Sequence, residues 1–199
     1  PGASGRVRLL VSTRDDLRNA RPTRWLDVSP TADFTAQFPL TGLKPDTVYF
    51  YAAETAGHTG SMHDPLTGTF RTAPRPRDPA SVSFTMTTCQ KYSQLDHNEG
   101  FHIYNSMLRL APRFFISAGD IVYYDSDDPR ATTPELARYH WQRMFSFPRH
   151  MRLLQNVPGY WAKDDHDTLT DDTWPSQPQG PEMKLTFEQG LGIFREQVP

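Results

Sequence analysis

Arg113-Phe114-Phe115-Ile116-Ser117-Ala118-Gly119-Asp120-Ile121-Val122-Tyr123-Tyr124-Asp125 decides the fold. A short apolar run, Arg113 to Ser117, reads as a strand. It runs into Ala118-Gly119-Asp120, whose Gly-Asp pair has turn chemistry, and so delivers a carboxylate to the strand's carboxyl end. The same grammar recurs on either side. Upstream, Val82, Phe84 and Met86 alternate with Ser83, Thr85 and Thr87 and run into Thr88-Cys89-Gln90. Downstream, Gly159-Tyr160-Trp161-Ala162 runs into Lys163-Asp164-Asp165-His166-Asp167. Between the strands lie helical patterns. Phe101, Tyr104, Met107 and Leu108 repeat at helical spacing. Thr133-Pro134-Glu135 opens a second helix, with Thr as cap and Pro at the first helical position. Met151, Leu153 and Leu154 fit a third, stopped before Pro158. Strands alternating with helices predict βαβ units and a largely parallel sheet.

Ligands of open α/β sheets bind outside the carboxyl ends of the strands. Three successive strands bring there a thiol, a carboxylate with a nearby phenol, and an Asp-Asp-His-Asp run. Carboxylates suit hard cations and thiolates softer ones. Each piece alone is weak. A lone cysteine is more often a small buried hydrophobe, and Gly119-Asp120 could be an ordinary turn. Tyr123 and Tyr124 could be packing. The acidic run Asp164 to Asp167 is the strongest element, because a cation would resolve its repulsion. Asp125, Asp127, Asp128, Asp171 and Asp172 add negative potential, some of it as solvated loop charge. Of the remaining histidines, His97 and His102 flank a helix start, His140 and His150 read as packing or surface, and His58 and His63 carry no assignment.

Residues 1–73 have a different grammar. Val7, Leu9 and Val11 alternate with Arg8, Leu10 and Ser12; Phe34, Ala36 and Phe38 alternate with Thr35 and Gln37. Thr47 to Ala53 and Gly68 to Thr72 complete a set of short strands. Turn signals at Ser29-Pro30, Gly42 to Asp46 and Gly57 to Gly60 separate them. Leu40-Thr41-Gly42-Leu43-Lys44-Pro45-Asp46-Thr47-Val48-Tyr49 resembles the tyrosine corner of fibronectin type III sandwiches, in which a tyrosine bonds back to upstream backbone. The expected fold class is mixed: a partial antiparallel β sandwich of fibronectin III type over 1–73, a linker over 74–80, and an incomplete α/β layer over 81–199. The Ala73-Pro74-Arg75-Pro76-Arg77-Asp78-Pro79 stretch holds three prolines and cannot continue a helix or a central strand.

Composition bounds the function. With 21 Lys+Arg against 23 Asp+Glu, the net charge of -2 argues against a basic nucleic-acid-binding face. Aromatics at 12% exclude a disordered chain. The longest apolar run, Val48 to Ala53, is far short of the ~20 residues of a membrane span. Cys89 is the only cysteine, so an internal disulfide is excluded.

Taken in order, Ser83 to Gln90, Phe114 to Tyr124 and Asp164 to Asp167 resemble the alkaline phosphatase D family of calcineurin-like metallophosphoesterases, whose members carry a fibronectin-like N-terminal domain. The resemblance implies a metal-dependent phosphoric ester hydrolase in which an activated water attacks phosphorus, with a small phosphate monoester or diester as substrate. It implies ferric iron held by Cys89 and Tyr123, Asp120 bridging, and Asp165 on a second ion, calcium. Asp171, where the family often has Asn, is a further candidate ligand. His166 would stay off the metals as the catalytic residue that meets the phosphate. The resemblance also implies a secreted or periplasmic location, although no signal segment opens these residues. The family's remaining ligands lie beyond Pro199, so these residues read as a piece cut at both ends, expected to turn over weakly alone. Two other classes compete: a β-sandwich binding module, and a structural protein stabilised by calcium in its acidic loops.

Overall fold

The computed structural model describes residues 2–57 and 64–199; the His58 and His63 positions, and most of the Gly57–Gly60 turn, fall outside the described residues. The chain is a mixed α/β structure with one antiparallel and one parallel sheet. It divides into two compact units, one of residues 1–82 with 155–158 and one of residues 83–154 with 159–199.

In the first unit, β1 (Gly5–Ser12) pairs antiparallel with β2 (Arg21–Pro22), β3 (Leu26–Val28) and β4 (Val48–Gly57), and β4 pairs with β5 (Leu66–Arg71). The described residues of this unit form one sheet, with no second sheet facing it. The expected strand at Phe34–Phe38 does not form. A 3-10 turn at Pro30–Ala32 runs into Asp33 and Phe34, both at positive φ (47° and 59°), and residues 35–40 have no regular structure. The alternating pattern there is real, but two successive left-handed residues turn the backbone out of extended geometry. Tyr49 is buried, and its phenol oxygen accepts from the Lys44 backbone N–H at 2.9 Å, five residues upstream.

In the second unit, β6 (Phe84–Thr87), β7 (Phe114–Ala118) and β8 (Gly159–Ala162) lie parallel in chain order. α1 (His102–Arg109) connects the first two strands; α2 (Pro134–Phe145) and α3 (Pro148–Asn156) connect the next two. Thr133 caps α2 as its sequence predicts, its hydroxyl accepting from the Leu136 N–H at 3.4 Å. α4 (Phe187–Gln197) was not among the predicted helices, although Thr186 and Gln189 form a reciprocal capping box that its sequence spells out.

One face of the parallel sheet is packed. Phe115 meets Trp161 edge to face, and Trp161 meets Phe145 of α2. Tyr104 of α1 stacks on His150 of α3. The other face carries Phe84, Met86, Phe114, Ile116 and Tyr160 in register. Phe84, Met86 and Tyr160 there are 55–62% exposed. The alternation in the sequence identified which residues share a face; it did not identify which face this unit covers. No helix among the described residues is long and apolar enough to cross a membrane.

Candidate metal centre

Because the three strands are parallel, their carboxyl ends share one edge, and Cys89, Asp120 and Asp165 all follow from it. Two of the three connections are sharply bent. Cys89 and Asp120 adopt left-handed backbone geometry (φ 58° and 54°), which costs a non-glycine residue about 1–3 kcal/mol. Gly119 before Asp120 has φ 94°, and a Cβ there would lie 2.5 Å from Asp164 Cβ and 2.8 Å from Asp164 N. Glycine at this position lets the loops after β7 and β8 touch.

The bends aim the side chains at one another. Cys89 Sγ lies 3.6 Å from Asp120 Oδ2, and the Tyr123 hydroxyl donates to the same oxygen at 3.0 Å. Asp120, Asp165 and His166 each offer a ligand atom within 4.8 Å of the others'. The Tyr123 and His166 rings lie 4.4 Å apart between centroids. Asp171 sits at the rim, where it forms a second acidic group with Asp165 and Asp172. All six residues singled out from the sequence are therefore in one neighbourhood, with Cys89 exposed and Asp120 buried.

The acidic run resolves differently from the sequence-based expectation. Asp167 does not face the cluster. It is fully buried, and its carboxylate accepts from the backbone N–H groups of Asp120, Ile121, Val122 and Asp164 at 2.7–3.2 Å. Burial pushes its pKa up to about 7, against the pull of those four donors. Part of the repulsion assigned to a cation is thus relieved by backbone, and Asp167 shapes the turn that presents Asp120.

Asp125, read as one of several loop charges, is the second residue with an unforeseen place. Its Oδ1 lies 2.9 Å from His166 Nδ1, and its Oδ2 accepts from the Asp171 N–H at 3.1 Å. Asp127 is buried as well and accepts from the backbone of Tyr92 and Ser93 at 2.9 and 3.0 Å. Tyr124 proves to be packing: it is fully buried and accepts from Trp141 Nε1 at 2.6 Å. His140 and His150 are fully buried too, and neither belongs to the groups of described residues that could hold a metal ion.

The electrostatics follow from this geometry. Burial pushes the Asp120 carboxyl up, opposed by the Tyr123 hydrogen bond. Burial, with Cys89 and Asp120 alongside, pushes the Tyr123 phenol far up. Burial opposes charge on His166, but Asp125, Asp120 and Asp165 outweigh it and hold the imidazole above the usual histidine range. Burial also raises the Asp165 carboxyl, but the backbone N–H groups of Asp172 and His166 overcome it and hold Asp165 low. Asp120 Oδ1 is buried with no hydrogen-bond partner. An orphaned carboxylate oxygen beside a thiol, a phenol and a second carboxylate suits a cation: it would satisfy that oxygen and stabilise the ionised forms that burial disfavours.

No known protein family matches the chain, and no curated protein matches it. Solved structures do. Over all of this chain and 40% of the other, it is similar to PhoD, with a TM-score of 0.78 and 17% identity. It is also similar to the purple acid phosphatase PPD1 isolated from yellow lupin (Lupinus luteus) seeds, with a TM-score of 0.61 and 10% identity over 98% of this chain and 36% of that one. The fold is therefore the one these two structures share over the matched region, and the chain spans less than half the length of either.

Proposed function

We propose that the protein is a metal-dependent phosphoric ester hydrolase of the alkaline phosphatase D type, acting on phosphate monoesters or diesters. The observation that supports this most is the set of donors converging on Asp120: a thiol, a phenol and Asp165, around a buried carboxylate oxygen without a partner. A calcium-stabilised structural loop gives no reason for the thiol or the phenol.

In this reading Cys89, Asp120 and Tyr123 would hold ferric iron, and Asp120, Asp165 and Asp171 would hold calcium. Metals bound there would supply Lewis-acid stabilisation of phosphate charge and a more acidic water. The residues of the chain do the rest. Burial opposes charge on His166, but the carboxylates of Asp125, Asp120 and Asp165 favour its protonated form. Its Nδ1–H is held by Asp125, which leaves Nε2–H to neutralise the phosphate or protonate the leaving oxygen. We read residues 1–73 as part of a fibronectin-like sandwich, supported by the Tyr49–Lys44 hydrogen bond, with the division from the phosphatase part at 74–80.

Metal content and bis(p-nitrophenyl) phosphate hydrolysis of the full-length protein that contains these residues test the proposal. Asp120→Ala is expected to abolish both. His166→Ala is expected to lower turnover by about 10²–10⁴-fold with metal content retained. Full activity in the Asp120→Ala variant would overturn the assignment.

A further inference from the structure

Lys91 is half-buried, and its ammonium sits over the Tyr123 ring, 5.4 Å from the centroid. Among the described residues it has no carboxylate partner. That is unexpected in a neighbourhood holding Asp120, Asp125, Asp164, Asp165, Asp171 and Asp172, since an adaptable four-carbon stem ordinarily finds an acid nearby.

The backbone explains why it does not. Gln90 N–H donates to the Asp120 carbonyl at 2.8 Å, pinning the chain just before Lys91. The Tyr92 and Ser93 N–H groups are both bound by buried Asp127, pinning it just after. Arg143 approaches Asp127 at 3.7 Å and lies over the Tyr92 ring at 3.9 Å, locking that anchor. Lys91 thus projects from a loop fixed on both sides, with its ammonium over the ring whose hydroxyl donates to Asp120.

We infer that Lys91 receives a second anionic group of the substrate, one joined to the reacting phosphoryl group but outside the metal ligands. The inference rests on the phosphoesterase reading above. It assigns the preferred substrate class: phosphate esters bearing a further carboxylate or phosphate, favoured over esters with an uncharged remainder. The surrounding carboxylates repel a second anionic group that lies outside the metal ligands, and a nearby ammonium offsets that repulsion; Lys91 has its contact with the Tyr123 ring, but no ion pair, to give up.

The test uses two non-hydrolysable probes that differ by one remote charge, phenylphosphonate and para-carboxyphenylphosphonate. Each is titrated calorimetrically into protein loaded with iron and calcium and then dialysed. The unsubstituted protein should bind the carboxylated probe more tightly by about tenfold. Lys91→Gln should erase that preference while leaving phenylphosphonate affinity within about twofold, and Lys91→Arg should keep it. No preference in the unsubstituted protein, a preference that survives in Lys91→Gln, or equal weakening of both probes would each overturn the assignment. Bis(p-nitrophenyl) phosphate turnover is read in parallel on the longer protein that contains these residues; its absence there counts against the phosphoesterase reading, whereas the ratio of probe affinities judges Lys91.

Discussion

Asp125 Oδ1 stands 2.9 Å from His166 Nδ1, and the pair joins the loop after β7 to the loop after β8. A carboxylate on Nδ1 fixes the ring's orientation and its tautomer, so the other nitrogen is the one that faces the site. Asp171 Oδ1 already lies 3.7 Å from that Nε2. Asp125→Asn keeps the shape but weakens the hold on the imidazolium. Turnover of phosphate esters should fall about 10–100-fold, and metal content should stay within error. The acidic limb of the pH–rate profile should not move up: with less negative charge beside it, His166 loses its proton at lower pH, so the alkaline limb moves down. An unchanged profile and rate would leave Asp125 as a loop charge only.

Asp167 is the residue whose replacement should cost most stability. Four backbone donors around one buried carboxylate cannot find water when it is removed, and each unsatisfied buried donor costs about 1–3 kcal/mol. Asp167→Ala should therefore lose at least about 3 kcal/mol in urea unfolding. Asp164→Ala, at an exposed neighbour in the same run, is the control and should lose much less. Equal losses would show that Asp167 does not anchor the Asp120 turn.

The strand ends, and the convergence of six candidate residues on them, are legible in the sequence because they rest on short-range signals. Period-2 alternation, Gly-Asp after an apolar run and a proline-rich break all act within a few residues. What escaped depends on where a side chain turns after the backbone is set. Asp164, Asp165 and Asp167 look alike in sequence, yet one accepts four N–H groups inside while Asp165 faces the cluster. Asp125 gained its role from His166, 41 residues away. Phe34 to Phe38 failed as a strand because the two left-handed residues at 33 and 34 overrode its alternation.

His150 makes stability depend on mildly acidic pH. It is buried against Tyr104, its Nδ1–H donates to the Met144 carbonyl at 3.2 Å, and burial pushes its pKa down to about 4. An unfolded histidine titrates near 6.5. Between those values the unfolded chain binds a proton that the folded chain refuses. The His150 contribution is therefore fully present above about pH 6.5 and is lost as pH drops toward 4, by up to about 3 kcal/mol. His140, also lowered by burial, acts in the same direction, whereas Asp167, raised to about 7, acts in the opposite one. The His150 share is read as a difference: in thermal melts from pH 7 to pH 4, His150→Phe, which can still stack on Tyr104, should lose less stability on acidification than the unsubstituted protein. An identical pH dependence in that variant would place the effect elsewhere.

Gly119→Ala tests whether the contact between the two loops, and not merely the ligand identities, builds the centre. The added Cβ meets Asp164 Cβ at 2.5 Å and Asp164 N at 2.8 Å, with Lys163 C at 3.1 Å. These are backbone and near-backbone atoms, so no rotamer change relieves the overlap, and the positive φ adds its own cost. The loops carrying Asp120 and Asp165 must move apart. Gly42→Ala separates the two contributions, because Gly42 also has positive φ (70°) but open space around its missing Cβ. Gly42→Ala should cost about 1 kcal/mol and leave metal content untouched. Gly119→Ala should cost about 2–4 kcal/mol and lose bound metal although every proposed ligand remains. If metal content in Gly119→Ala equals that of the unsubstituted protein, the ligands do not need this close approach, and the shared site on Asp120 and Asp165 is wrong.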